Sequence, residues 1–108
     1  MKNQLADIIA TVNLFPTDAG GRRGPTPGGK FNCLMAIDEK NFDVRLHLEG
    51  TGAISPGQTA RVPISFLDRE QAKKYCSIGK TFIFREVSPI GDGVIDEMAF
   101  LDDIGEVR

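Results

Sequence analysis

Apolar and polar residues alternate along two neighbouring segments, and this period of two constrains the fold more than any other feature. The segments are residues 31–37 (FNCLMAI) and 42–49 (FDVRLHLE), and the four residues between them, DEKN, are typical of a turn. Because successive side chains of a β-strand point to opposite faces, each segment would bury every second residue. We therefore predict an antiparallel hairpin. Its inward side chains would be Phe31, Cys33, Met35, Ile37, Phe42, Val44, Leu46 and Leu48.

Four further segments have strand character, and one has helical character. The strand candidates are residues 5–15, 59–66, 80–86 and 94–101. Pro63 would make the second of these an edge strand or a bulged one, because proline cannot donate to a ladder. Residues 67–76 (LDREQAKKYC) predict a short helix that is capped by Asp68, with Gln71 placed as in a capping box. Residues 87–93 (VSPIGDG) predict a turn.

Six short strands with Gly- and Pro-containing turns and one brief helix indicate an all-β barrel or sandwich. With 108 residues the chain is long enough for one domain, which we assign to residues 1–101. Residues 102–108 would form an acidic C-terminal tail. No apolar run approaches the length of about 18 residues that a membrane span needs, and the N-terminus lacks the pattern of a secretory signal.

Charge and cysteine content narrow the classes of function. The net charge is −2 and the pI is near 5.3, whereas a dedicated nucleic-acid binder is usually strongly basic. Cys33 and Cys76 are too few for a disulfide framework, so we expect reduced thiols in a cytoplasmic protein. The sequence contains no motif typical of a cofactor site, so we predict no cofactor.

A long Gly- and Pro-rich segment separates the first two strand candidates. Residues 16–30 (PTDAGGRRGPTPGGK), here called the Gly/Arg loop, contain five Gly, three Pro and three basic residues. A loop of this length in a small domain is usually functional or disordered, so it could be a binding loop or a mobile connector. Arg22 and Arg23, with Lys30, suit a phosphate or carboxylate partner because guanidinium groups bind such groups through two hydrogen bonds. The alternative is a solvated loop without a partner.

Several patterns of catalytic or ligand-binding residues are excluded or weak. Residues 24–30 (GPTPGGK) match the start of a phosphate-binding loop, but Phe31 replaces the Ser or Thr that would hold Mg²⁺, so we predict no nucleotide site. The single histidine, His47, and two thiols give only three possible zinc ligands, and we expect His47 to be a surface residue. The acidic residues near the C-terminus match no calcium-loop spacing and favour a solvated acidic end, so no metal site is predicted. These acidic residues are Asp92, Asp96, Glu97, Asp102 and Asp103.

In order and spacing, several short motifs resemble the C-terminal (third) domain of bacterial elongation factor Tu. Residues 17–25 (TDAGGRRGP) are similar to the family's K-D-E-G-G-R-x-x-P loop, and residues 29–31 (GKF) to the stretch before its next strand. Residues 53–58 (AISPGQ) resemble its M-V-M-P-G-D turn. Residues 82–86 (FIFRE) resemble F-A-I-R-E, and residues 91–95 (GDGVI) resemble G-A-G-V-V. The resemblance covers most of the chain and implies a six-stranded antiparallel Greek-key β-barrel.

The resemblance also implies a function. In that family the domain packs on a GTPase domain, contacts the T-stem of aminoacyl-tRNA and helps bind the exchange factor. We therefore expect a non-catalytic binding module that presents the Gly/Arg loop to a protein or tRNA-like RNA, acting as a decoy or regulator of translation-factor interactions. The tip at residues 87–90 (VSPI) departs from the family, which has glycines and an arginine there. The expected binding residues are Gly20, Gly21, Arg22, Arg23, Lys30, Arg85 and Glu86.

Two alternatives from other classes remain open. The chain could be a subunit of a larger assembly, which predicts an exposed apolar patch beside the loop. It could instead be a small enzyme that uses Cys33 or Cys76 with His47, which predicts a thiol of lowered pKa near the imidazole.

Overall fold

A computed structural model describes residues 6–100 of the chain, and about half of them lie in six β-strands. Within these residues the structure also has a 3-10 turn, Thr17–Ala19, in the Gly/Arg loop and one short helix after the fourth strand. The elements are β1 (Ile8–Leu14), β2 (Lys30–Ile37), β3 (Lys40–His47), β4 (Thr59–Phe66), α1 (Arg69–Lys73), β5 (Thr81–Arg85) and β6 (Pro89–Met98).

The six strands form one closed barrel in the order β1-β4-β3-β2-β5-β6, and every neighbouring pair is antiparallel. Strands β2, β3 and β4 are neighbours in chain order and form a meander. Strand β1, which precedes them in the chain, lies beside β4, and this is a Greek-key arrangement. The predicted all-β barrel with one short helix is therefore confirmed.

Alternation decides which side chains fill the barrel. Burial along β1 alternates strictly between buried and partly exposed positions, and β3 alternates in the same way from Phe42 onward. The eight inward positions predicted for the hairpin are buried, except that Cys33 is half-buried against the core. The largest fully buried side chains are Phe84, Ile8, Leu14, Met35, Ile37, Leu46, Leu48, Ile54, Ile64 and Ile95.

The β2–β3 hairpin closes through an unfavourable pair of residues. Ile37 pairs with Lys40, so Asp38 and Glu39 form a two-residue turn with φ values of 51° and 70°. Two-residue hairpin turns need positive φ, and glycine is the preferred second residue because it has no Cβ to clash.

We expect Glu39→Gly to raise the free energy of unfolding by about 0.5 kcal/mol. Glycine removes the backbone strain that Glu39 has at positive φ, and this gain in stability exceeds the loss from the greater conformational entropy of the unfolded chain. Urea unfolding monitored by circular dichroism measures the change. Glu39→Ala serves as the control, since it removes the same side chain and keeps the Cβ. Equal stability of the two variants would contradict the explanation.

The last strand begins earlier than the sequence indicates. β6 starts at Pro89, so the predicted turn over residues 87–93 is wrong for all but its first two positions. Gly91 and Gly93 lie in this strand because β1 passes very close: a Cβ at Gly91 would lie 2.6 Å from the carbonyl oxygen of Asn13, and one at Gly93 would lie 2.5 Å from that of Thr11. Glycine here permits close strand packing, whereas the sequence pattern suggested a turn.

The helix is also shorter than predicted. Asp68 caps it as expected, accepting a hydrogen bond from the Gln71 backbone N–H at 3.3 Å, but α1 contains only five residues. Beyond Lys73 the chain continues in turns, in which the N–H of Tyr75 donates to the carbonyl of Ala72. No helix among residues 6–100 is long and apolar enough to cross a membrane.

Pro63 does not lie on an edge strand, because β4 has a neighbour on each side. It pairs with Ile9 of β1, whereas the ladder with β3 reaches only to Ile64. At the position of Pro63 itself, β4 is therefore paired only with β1, so the missing N–H of proline breaks no hydrogen bond to β3. The predicted acidic tail, residues 102–108, and the ends of the first and last strand candidates lie outside the described residues.

Candidate binding site

Arg22 connects the Gly/Arg loop to the end of β5. Its Nη1 lies 2.6 Å from Oε2 of Glu86, its Nε donates to the carbonyl of Gly24 at 3.2 Å, and its Nη2 donates to that of Pro25 at 3.2 Å. The guanidinium also lies over the ring of Phe31, 5.1 Å from the ring centre. Because these contacts engage all three of its nitrogens, Arg22 holds the loop in place.

The turn that precedes Arg22 is fixed by local hydrogen bonds. After the 3-10 turn Thr17–Ala19, Gly20 adopts a φ of 93°, which favours glycine. The N–H of Gly21 donates to the carbonyl of Pro16 at 3.0 Å, and the hydroxyl of Thr17 donates to the carbonyl of Arg22 at 2.6 Å.

A second attachment holds the other half of the loop. Thr26 is buried and exchanges two hydrogen bonds with Ile54: its N–H donates to the Ile54 carbonyl, and its hydroxyl accepts from the Ile54 N–H, both at 3.0 Å. With attachments at Arg22 and Thr26, the loop is held against the barrel at two points, which is not expected of a mobile connector.

The other two basic residues of the loop differ from Arg22. Lys30, the first residue of β2, pairs with Glu49 at 2.8 Å, and this hydrogen bond lowers the pKa of Glu49. Arg23 is exposed, and within residues 6–100 its side chain has no hydrogen bond or ion pair.

A groove of about 670 Å³ lies on the outside of the barrel beside the loop. Glu86, the partner of Arg22, belongs to its lining, so the loop and the groove form one continuous surface. Strand register places Leu34 between Arg85 on β5 and Asp43 on β3. The remaining outward-facing residues of the groove are Asn32, Arg45, Ser65 and Leu67.

Arg85 differs from the other arginine of the groove. The Nε of Arg45 donates to Oδ1 of Asn32 at 3.0 Å. For Arg85, the described part of the chain offers no hydrogen bond or ion pair to its side chain, which is only partly exposed. Its neighbour Glu86 is already bound to Arg22 and is therefore engaged elsewhere.

His47 is a partly buried residue at the end of β3 and not simply a surface one. Its Nε2 lies 2.8 Å from Oγ of Ser65, which belongs to the groove. Partial burial lowers the pKa of His47, so the neutral imidazole is favoured at pH 7. This pair was not predicted, because only strand pairing brings together these two residues, which are 18 positions apart.

A nucleophilic cysteine needs a lowered thiol pKa, but burial raises the pKa of both cysteines. It raises the pKa of Cys33 to about 12 and that of Cys76 to about 11. The carboxylate of Glu86 adds to the shift at Cys33. Burial of the two thiols thus acts against the lowered pKa that the Cys–His enzyme alternative requires.

We expect both thiols of the folded protein to react with iodoacetamide at pH 8 at least about tenfold more slowly than in urea, since thiolate is the reacting species. Mass spectrometry of the alkylated protein measures the two rates separately. A thiol that reacts faster in the folded chain than in the unfolded chain would support the Cys–His alternative.

The acidic residues of β6 are partly neutralised by a basic side chain of β4. Arg61 lies 3.3 Å from Asp96 and 2.5 Å from Glu97, and Asp96 also accepts from the hydroxyl of Thr11 at 2.7 Å. Among residues 6–100, no three His, Cys, Asp or Glu side chains come together in a way that could hold a metal ion. Asp102 and Asp103 lie outside the described residues.

Arg22, Arg85 and Glu86 come together, because Arg22 contacts Glu86 and Arg85 precedes Glu86 on the groove wall. Arg23 extends from the same loop after the turn at Gly20 and Gly21, and Lys30 at the start of β2 pairs with Glu49. The groove residues that were not predicted are Leu34, Arg45, Ser65 and Leu67, since outward positions alone do not show that they line one groove.

No protein-family model matches the sequence, and no curated protein matches it.

Proposed function

We propose that this chain is a non-catalytic binding module, similar in kind to the third domain of elongation factor Tu, that binds a protein partner through the Gly/Arg loop and the adjacent groove. One observation carries the proposal: Arg22 is bound to Glu86, so a fixed loop and a groove share one surface. On that surface Arg23 and Arg85 have no hydrogen-bond or ion-pair partner among residues 6–100.

Exposed apolar side chains on the groove wall and next to Glu86 support a protein partner. Leu67, on the groove wall, is 80% exposed, and Val87, which directly follows Glu86, is 98% exposed. Exposed aliphatic residues next to unpaired arginines are typical of protein interfaces, where apolar contacts lie beside charged ones. A subunit of a larger assembly would use the same surface permanently, whereas a regulator would use it transiently.

Charge and aromatic content favour protein over RNA as the partner. The carboxylate of Asp43 lies in the groove and would repel phosphates. Single-stranded RNA is usually bound on exposed aromatic rings, and the large exposed apolar residues within residues 6–100 are all aliphatic. The net charge of −2 points in the same direction.

The proposal includes a role as a decoy or regulator in the cytoplasm. The resemblance to a translation-factor domain supports the role as a decoy or regulator, since a free copy of such a domain could compete for the partners of the factor. The two free thiols support a location in the cytoplasm.

A capture experiment with matched variants tests the proposal. Wild-type chain, the double variant Arg23→Ala/Arg85→Ala, and the control Arg61→Ala are immobilised and exposed to lysate with and without ribonuclease. We expect a protein to bind the wild type and the control, to survive ribonuclease, and to be lost from the double variant. Arg61 suits the control because it is an arginine that already has partners on another part of the barrel.

Two results would contradict the proposal. Captured material that disappears with ribonuclease, and whose binding falls by about one log unit per phosphate contact for each tenfold rise in salt, would establish RNA as the partner. Identical capture by the wild type and the double variant would show that this surface is not the site.

A further inference from the structure

Arg85 lies at one end of the groove, and its surroundings define what it can bind. It pairs with Leu34 of β2, which in turn pairs with Asp43 of β3. Since neighbouring strands lie about 4.8 Å apart, Asp43 is about 10 Å from Arg85 across the apolar side chain of Leu34. Asp43 is therefore separated from Arg85 by a full strand, and the structure shows no ion pair between them.

The nearer carboxylate is also engaged elsewhere. Glu86 follows Arg85 directly, but its Oε2 is bound to Nη1 of Arg22 at 2.6 Å. The Gly/Arg loop thus occupies the acidic group that would otherwise compete for Arg85. A partly buried guanidinium without a partner favours an external anion, because the charge has lost water without gaining hydrogen bonds.

An apolar surface lies beside this cation. Leu34 is next to Arg85 in the sheet, and Leu67, 80% exposed, borders the same groove on the β4 side. The N–H of Leu67 donates to the carbonyl of Asp43 at 3.0 Å, which fixes the backbone of Leu67 beside β3. Because Asp43 lies between the two leucines, the apolar surface next to Arg85 is the side chain of Leu34.

We infer that the groove binds an extended segment of a partner protein in which an acidic side chain pairs with Arg85 and an aliphatic side chain two residues away packs on Leu34. This inference rests on the proposed function and adds the chemistry of the recognised segment. In an extended chain, side chains two positions apart point to the same side and lie about 7 Å apart, which is enough to reach from Arg85 to the outer face of Leu34 on the adjacent strand. Beyond Leu34 the groove is polar, since Asp43 follows on β3 and the Nε of Arg45 is bound to Asn32.

Selection from a random 12-residue peptide library, displayed on phage and presented to the full chain, tests the inference. We expect enriched peptides to contain Asp or Glu two positions from Leu, Ile or Val. Selected peptides are then synthesised with an amidated C-terminus, so that only an internal acidic side chain can supply the carboxylate. Fluorescence polarisation measures the dissociation constants.

A double-mutant cycle identifies the contact. Arg85→Met keeps an apolar stem of similar length and should weaken binding of the acidic peptide by about ten- to a hundredfold. Changing the acidic residue of the peptide to its amide should weaken binding to the wild type similarly and to Arg85→Met little further. Leu34→Ser should weaken binding about fivefold through the lost apolar contact. Arg61→Met, the control, should bind as the wild type does.

The outcomes separate this inference from the function on which it rests. Peptides that bind but lack the acidic residue, or that bind Arg85→Met as tightly as the wild type, would overturn the inference and leave a protein-binding module. If peptides bind only with a free C-terminal carboxylate, then Arg85 recognises the end of a chain and not an internal acidic side chain, and this result would likewise overturn the inference. Failure to select any peptide, together with binding of a single-stranded RNA oligonucleotide, would overturn both.

Discussion

Replacing Asp7 with alanine should lower the free energy of unfolding by about 3 kcal/mol or more. The side chain of Asp7 is almost fully buried, and each of its two carboxylate oxygens accepts a different hydrogen bond. Oδ2 accepts the backbone N–H of Phe66 at 2.8 Å, and Oδ1 accepts the Nε of Arg69 at 2.6 Å. Alanine would leave the buried N–H of Phe66 without an acceptor and would remove an ion pair from the junction of β1, β4 and α1.

Urea unfolding of three proteins measures this effect. Asp7→Asn keeps one amide oxygen for a donor and loses the charge, so we expect a loss of about half that of Asp7→Ala. Asp18→Ala, the same substitution at an exposed residue of the Gly/Arg loop, should change stability by less than about 0.5 kcal/mol. Equal midpoints for Asp7→Ala and Asp18→Ala would show that the buried carboxylate does not stabilise the barrel.

The strands were predictable where burial repeats every second residue. Residues 31–37 and 42–49 show this period, and they form the β2–β3 hairpin with a turn at Asp38 and Glu39. Alternation is visible in the sequence because one face of each strand must be apolar and the other faces water. The same reasoning failed for residues 89–93, where Gly91 and Gly93 fill inward or close-packed positions of β6 and weaken the pattern.

The binding surface was predictable only in part. The loop and its arginines stand out by composition, but the partner of Arg22, Glu86, is 64 residues away, and only strand pairing brings the two together. The internal role of Arg22 follows from contacts that composition does not encode. The groove depends in the same way on the register of β2 with β3 and β5, so the relation of Leu34 to Arg85 could not be read from spacing.

Gly21 and Gly24 lie in the same loop and differ in the space around them, which makes them a matched pair. A Cβ at Gly21 would lie 2.1 Å from the carbonyl oxygen of Phe15, whereas a Cβ at Gly24 would meet nothing within 4 Å. The carbonyl of Phe15 cannot easily move, because the N–H of the same residue is bound to Ile90 of β6 at 2.9 Å. The turn that leads to Arg22 must therefore open to admit a methyl group at Gly21.

We expect Gly21→Ala to lower the free energy of unfolding by about 3 kcal/mol and Gly24→Ala to change it by less than about 0.5 kcal/mol. Opening the turn also displaces Arg22 from Glu86, so trypsin should cut after Arg22 and Arg23 much faster in Gly21→Ala than in Gly24→Ala. Trypsin digestion at a temperature where both variants remain folded measures the loop separately from the barrel. Equal cleavage rates in the two variants would mean that the contacts of Arg22, and not the close approach at Gly21, determine the conformation of the loop.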